Sequence, residues 1–152
     1  MTPEFSVAIL VGLAAAVEDL WRRRVSNWIP ASAFVAGVTC LAIERGWRGA
    51  LSAIVGAIGG FCVFLVFYWL GGMGGGDVKL MAGLGAVLGM ENVIPAALWT
   101  AAFGGVIAAM CIATVAVRNW LIREPAKARP VRNIPYAPAI ALGSWIALLA
   151  KV

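Results

Sequence analysis

The sequence contains no histidine, only three cysteines and only two aspartates in 152 residues. Without histidine, a Ser-His-Asp or Cys-His nucleophilic mechanism has no base. Cys40, Cys62 and Cys111 each stand alone in an apolar run, with no C-x-x-C pair, so a zinc site lacks ligands and no metal is expected. These cysteines read as small hydrophobes. No Gly-Lys-Ser/Thr follows the glycines and no strand precedes them, which excludes a phosphate-binding loop and leaves no cofactor implied. Charge is scarce as well, at 12% of residues against 62% apolar. That is about half the charge of a soluble domain, too little to cover a globule facing water. Strict alternation, the mark of β-barrel strands, is also missing.

What is present is apolar and continuous. Six apolar segments run over 5–17, 28–43, 51–70, 78–90, 93–117 and 134–150. Each is expected to be helical, because a chain in lipid must satisfy its own backbone hydrogen bonds. The expectation is an all-α, polytopic membrane protein, one integral-membrane domain over 1–152, with about six transmembrane helices in a compact bundle. The N-terminus is not read as a secretory signal, since its basic cluster follows the apolar run.

Basic residues orient this layout. Arg22, Arg23, Arg24, Lys79, Arg118, Arg123, Lys127, Arg129 and Arg132 follow odd-numbered segments, and only Arg45, Arg48 and Lys151 lie on the other side. Nine against three places the odd loops in the cytoplasm and both termini outside. The net charge of +5 therefore reports topology and contact with anionic lipid, not nucleic acid.

Glycine spacing carries two messages. Gly56 with Gly60 and Gly85 with Gly89 form G-x-x-x-G pairs suited to close helix packing. The run 71–76, five glycines in six residues, breaks the apolar sequence and is expected as loop backbone inside protein or a watery cavity.

The aspartates frame that run. Asp19 ends the first segment and Asp77 begins the fourth, so both carboxylates face the cytoplasm. Taken singly, Asp77 fits a helix N-cap and Asp19 fits an ion pair with Arg22 or Arg23. Together they suit water activation by general acid and base. Both flanking segments hold thirteen residues, about 20 Å of helix against a hydrocarbon core of about 30 Å, which places the carboxylates several ångströms below the cytoplasmic surface. The helix ends on which they sit favour Asp77 as base and Asp19 as the protonated partner, although two such close groups share their protons.

The run Gly71-Gly72-Met73-Gly74-Gly75-Gly76-Asp77-Val78-Lys79-Leu80 resembles the G-x-G-D signature of type IV prepilin peptidases. Asp19 with Arg22, Arg23, Arg24, Val25 and Asn27 is similar to that family's first aspartate motif, with Ser26 where proline is usual. The stretch from Pro135 and Tyr136 to Gly143 resembles its C-terminal motif. The resemblance implies an aspartic endopeptidase of the bacterial inner membrane with catalytic Asp19 and Asp77. It would cleave the leader of prepilin-like proteins at the cytoplasmic face, typically after glycine. Gly74, Gly75, Gly76, Lys79, Asn27, Pro135 and Tyr136 would bind substrate or support the loop, with the backbone of 74–76 pairing strand-like with an unwound substrate; Lys79 also fits a snorkelling interface lysine. Longer relatives methylate the new N-terminus and carry cysteines in the first cytoplasmic loop. Here that loop, 20–27, has none, so methylation is not implied and the chain is similar to the short, tight-adherence (Flp) branch. Oligomeric state is not encoded legibly. A small ion- or proton-coupled transporter subunit, with a broken helix at 71–76, is the alternative.

Overall fold

The computed structural model describes residues 3–22, 24–71, 73–122 and 136–150. Among them the chain is all-helical: α1 (Pro3–Arg22), α2 (Trp28–Trp69), α3 (Gly75–Ile122) and α4 (Ala137–Leu149).

Two of these helices are folded back on themselves. At 42 and 48 residues, α2 and α3 would each exceed about 60 Å if straight. Both break at one glycine: Gly46 (φ +64°) in α2 and Gly89 (φ +70°) in α3. Only glycine enters this left-handed region without steric cost. The contacts give the directions. Pro30 faces Gly83 and Gly37 faces Ala86, so the first half of α2 runs parallel to the first half of α3. Gly56 faces Gly85 and Gly60 faces Met81, so the second half of α2 runs antiparallel to that same segment. Among the described residues, the two breaks divide the four helices into six helical segments, which correspond to the six apolar runs of the sequence.

Polar groups seal the α3 break. The Met90 N–H donates to Ser52 Oγ at 3.0 Å, and Asn92 Nδ2 donates to the Leu88 carbonyl at 2.9 Å. These meet backbone groups that an interrupted helix leaves without intrahelical partners.

Small residues fill the interior. Ala8, Ala15, Ala33, Gly37, Ala53, Gly56 and Gly60 are buried. A Cβ at Gly60 would lie 2.7 Å from the Met81 carbonyl oxygen, and one at Gly56 would run into the Gly85 carbonyl. The two G-x-x-x-G pairs therefore pack against each other, as their spacing predicts. On α1, Gly12 admits the Trp145 ring of α4, whose Nε1 donates to the Ala8 carbonyl at 2.9 Å. Larger side chains such as Phe64, Leu80, Met81, Leu84 and Ile140 complete the core, while many others face outward: Leu10, Trp21, Ile43, Leu98 and Met110 are all mostly exposed. So much exposed large apolar surface suits lipid as solvent and is costly in water. Among the described residues, two helices, α2 and α3, are long and apolar enough to cross a membrane.

The two ends of the bundle differ. At one, Arg45 beside the α2 break approaches Glu4 at 3.8 Å and Glu91 at 3.6 Å. At the other, the end of α1 meets the starts of α2, α3 and α4. The aspartates lie there.

Candidate active site

Asp77 is the third residue of α3, not its N-cap. The helix opens at Gly75, and the Asp77 carboxylate reaches back so that Oδ2 accepts the Gly74 N–H at 3.2 Å. This is the returning half of a capping box, and it fixes the carboxylate over the first turn. Helix geometry also changes the reading of the glycines. Gly75 and Gly76 are helical, so strand-like pairing through 74–76 is not the conformation found. Neither position is crowded: a Cβ on Gly76 would sit 3.6 Å from Val25 Cβ, and one on Gly75 3.7 Å from the Tyr68 ring, both ordinary contact distances.

Asp19 lies in the last turn of α1, which continues to Arg22. Its Oδ2 accepts the N–H of Ala137, first residue of α4, at 3.2 Å across 118 positions of sequence. Asp19 therefore meets a helix N-terminus, as Asp77 does. The division of base and acid drawn from each residue's own helix end does not survive this contact, because the α4 dipole opposes the α1 dipole at Asp19.

The helix is longer than its apolar run: α1 continues past Asp19 to Arg22, so about 25 Å of helix leads up to Asp19, and neighbouring helices bury it. Asp19 is 7% exposed and Asp77 8%, both at the same end of the bundle. Tyr136, at the start of α4, feels the charge of Asp77.

The link between α1 and α2 is tied down at two points. Lys79 Nζ donates to Asn27 Oδ1 at 3.0 Å, which joins α3 to the link; Lys79 has a partner within the protein. Glu18 Oε2 accepts the Ser26 N–H at 3.0 Å. Sequence reasoning passed over Glu18, although an acid beside Asp19 facing a short link was the available signal. Pro135 lies outside the described residues, as does 123–135 altogether. Gly74, Gly75, Gly76, Asn27, Lys79 and Tyr136 all gather at the aspartate end. A surface depression of about 510 Å³ along α1, from Leu13 to Arg22, involves neither aspartate.

Two buried carboxyl groups, each anchored through one oxygen by a backbone N–H, form an arrangement that can hold a water and pass protons. A model of the type IV leader peptidase family matches residues 6–109, a span that includes both aspartates but not Ala137. The chain is similar to the prepilin leader peptidase/N-methyltransferase of Aeromonas hydrophila, 36% identical over 104 residues, covering 64% of this chain and 32% of that protein. It is 33% identical over 118 residues to the protein of the same name from Bacillus subtilis (strain 168), covering 76% and 42%. Against that of Xanthomonas campestris pv. campestris it is 31% identical over 112 residues, covering 68% and 35%. The chain thus spans about a third to two-fifths of the length of these relatives. No solved structure matches it.

Proposed function

The chain belongs to the type IV leader peptidase family, and from that premise we propose that it is a membrane aspartic endopeptidase acting on the N-terminal leader of prepilin-like proteins. Asp19 and Asp77 are its catalytic pair. The observation that carries this reading is their joint burial at one end of the bundle, each held by the backbone of a different segment.

The chemistry follows from two carboxyl groups sharing a proton. The ionised member takes a proton from a water as its oxygen attacks the scissile carbonyl. The protonated member then gives its proton to the leaving amine nitrogen. A substrate helix must unwind first, since its carbonyls are engaged.

Six helical segments, each crossing the bacterial inner membrane within one domain over 1–152, accommodate the charge pattern: the nine basic residues that follow odd-numbered apolar segments in the sequence support an active site at the cytoplasmic face. The partners are prepilin-like proteins and membrane lipid. The proposal stops at peptide cleavage, because the internal link 20–27 carries no cysteine.

Co-expression with a candidate prepilin tests it. Leader removal is expected with the unaltered chain and is expected to fall at least about 100-fold in Asp19→Asn and in Asp77→Asn. Unimpaired cleavage by either variant defeats the assignment.

A further inference from the structure

On α1 the buried residues Ala8, Gly12, Ala15 and Asp19 lie three or four apart, so they form one stripe. Helix α4 packs along that stripe in the opposite direction. Towards one end the Trp145 indole Nε1 donates to the Ala8 carbonyl at 2.9 Å. One turn further along α1, a Cβ on Gly12 would lie 2.9 Å from that nitrogen and 3.0 Å from Ala141 Cβ. At the other end the Ala137 N–H donates to Asp19 Oδ2 at 3.2 Å. Residues 137, 141 and 145 are spaced by four, so one face of α4 carries both hydrogen bonds.

A second face fixes α4 against α3. A Cβ on Gly143 would run into Thr100, and one on Gly104 would lie 3.1 Å from the Tyr136 ring. Helix α4 is thus wedged between α1 and α3. Trp145 lies about 12 Å along the helix from Ala137, and a helix is stiff along its axis, so a shift at Trp145 is carried to the first turn. Asp19 depends on that turn. It sits at the C-terminal end of its own helix, where the dipole disfavours a carboxylate, and the N-terminus of α4 supplies the opposite field and a donor.

We infer, on the premise that the chain is a peptidase, that α4 is a positioning element of the active site: the Ala137 N–H orients the Asp19 carboxylate for reaction, and Trp145 acts on Asp19 through that donor by holding α4 in register with α1. A carboxylate with one oxygen held by an N–H does not turn without breaking that bond, so the pair meets its water in one geometry. A misplacement of about 1 Å is enough to cost about 100-fold in rate.

The test uses the full chain in lipid nanodiscs with a prepilin substrate and reads kcat and KM separately. An ester in place of the Ala137 amide, introduced as lactic acid by nonsense suppression, removes the donor and keeps the side chain. It is expected to lower kcat about 10-fold or more, with KM within about twofold. The same ester weakens the Tyr136 carbonyl, which accepts the Ile140 N–H. An ester at Ile140 removes that helical bond but spares the Ala137 N–H, and is expected to keep kcat within about twofold. Trp145→Phe retains an aromatic ring without the indole donor, and kcat is expected to fall about threefold or more. Added to the Ala137 ester it is expected to cost nothing further, because both changes act through one hydrogen bond, whereas a merely structural loss would multiply. Unchanged kcat in the Ala137 ester or in Trp145→Phe, equal losses in the two esters, or multiplying losses overturns the positioning role and leaves the aspartate pair as the peptidase site. Failure of the unaltered chain to cleave any prepilin overturns the peptidase reading and the inference with it.

Discussion

Asp19 and Asp77 are each held by one backbone N–H at 3.2 Å, and the two restraints differ in kind. The Gly74 contact is local, yet the sequence alone puts Asp77 itself at the N-cap, one turn early; the structure makes it the third helical residue reaching back to Gly74. The Ala137 contact joins residues 118 positions apart, and neither periodicity nor charge counting reveals such a pair. Only the motif around Tyr136 hinted that this segment mattered. Glu18 was missed for a related reason: its position beside Asp19 was visible, but its partner is the backbone N–H of Ser26, which sequence does not single out. Replacing Glu18 with alanine is expected to cost about 1 kcal/mol of stability, as one part-buried hydrogen bond. It should lower kcat without abolishing it, and Glu18→Gln, which keeps an acceptor oxygen, should recover most of both. Thermal unfolding in detergent beside a cleavage assay reads the two effects.

At the level of elements, the apolar runs specified six helical segments, but their ends were harder to place. Apolarity stopped the first segment at Val17, whereas α1 continues through charged residues to Arg22, because a helix goes on wherever backbone bonds and side-chain partners allow. Chain reversals were legible as gaps between runs, yet the glycines that execute them, Gly46 and Gly89, look in sequence like many others. Gly89 had been read as a packing glycine. It performs both tasks, since its backbone touches Gly56 while its positive φ turns the chain. The Gly56–Gly85 crossing is the tightest consequence of the small-residue pattern. Gly56→Val should destabilise the fold by about 2 kcal/mol or more, read as a lower unfolding temperature, because the neighbouring atoms are backbone and cannot rotate away. Gly76→Ala should be milder, since its nearest neighbour leaves ordinary contact distance.

The whole molecule is a bundle with opposed ends. One gathers Glu4, Arg45 and Glu91 around the chain reversals, and the other gathers both aspartates, the link 24–27 and the start of α4. The order of the apolar segments put the end of the first and the start of the fourth on one side, so the shared end of both carboxylates was readable from topology before any side-chain contact was known. The account's central claim is that Asp19 and Asp77 act as one unit on one water. Cleavage rates of purified Asp19→Asn, Asp77→Asn and the double variant in nanodiscs test it most directly. Groups acting as a unit are strongly non-additive, so each single variant is predicted to lose nearly as much kcat as the double. If the two single losses instead multiply to give the double, or if either single variant keeps near-native kcat, the pair is not the catalytic unit.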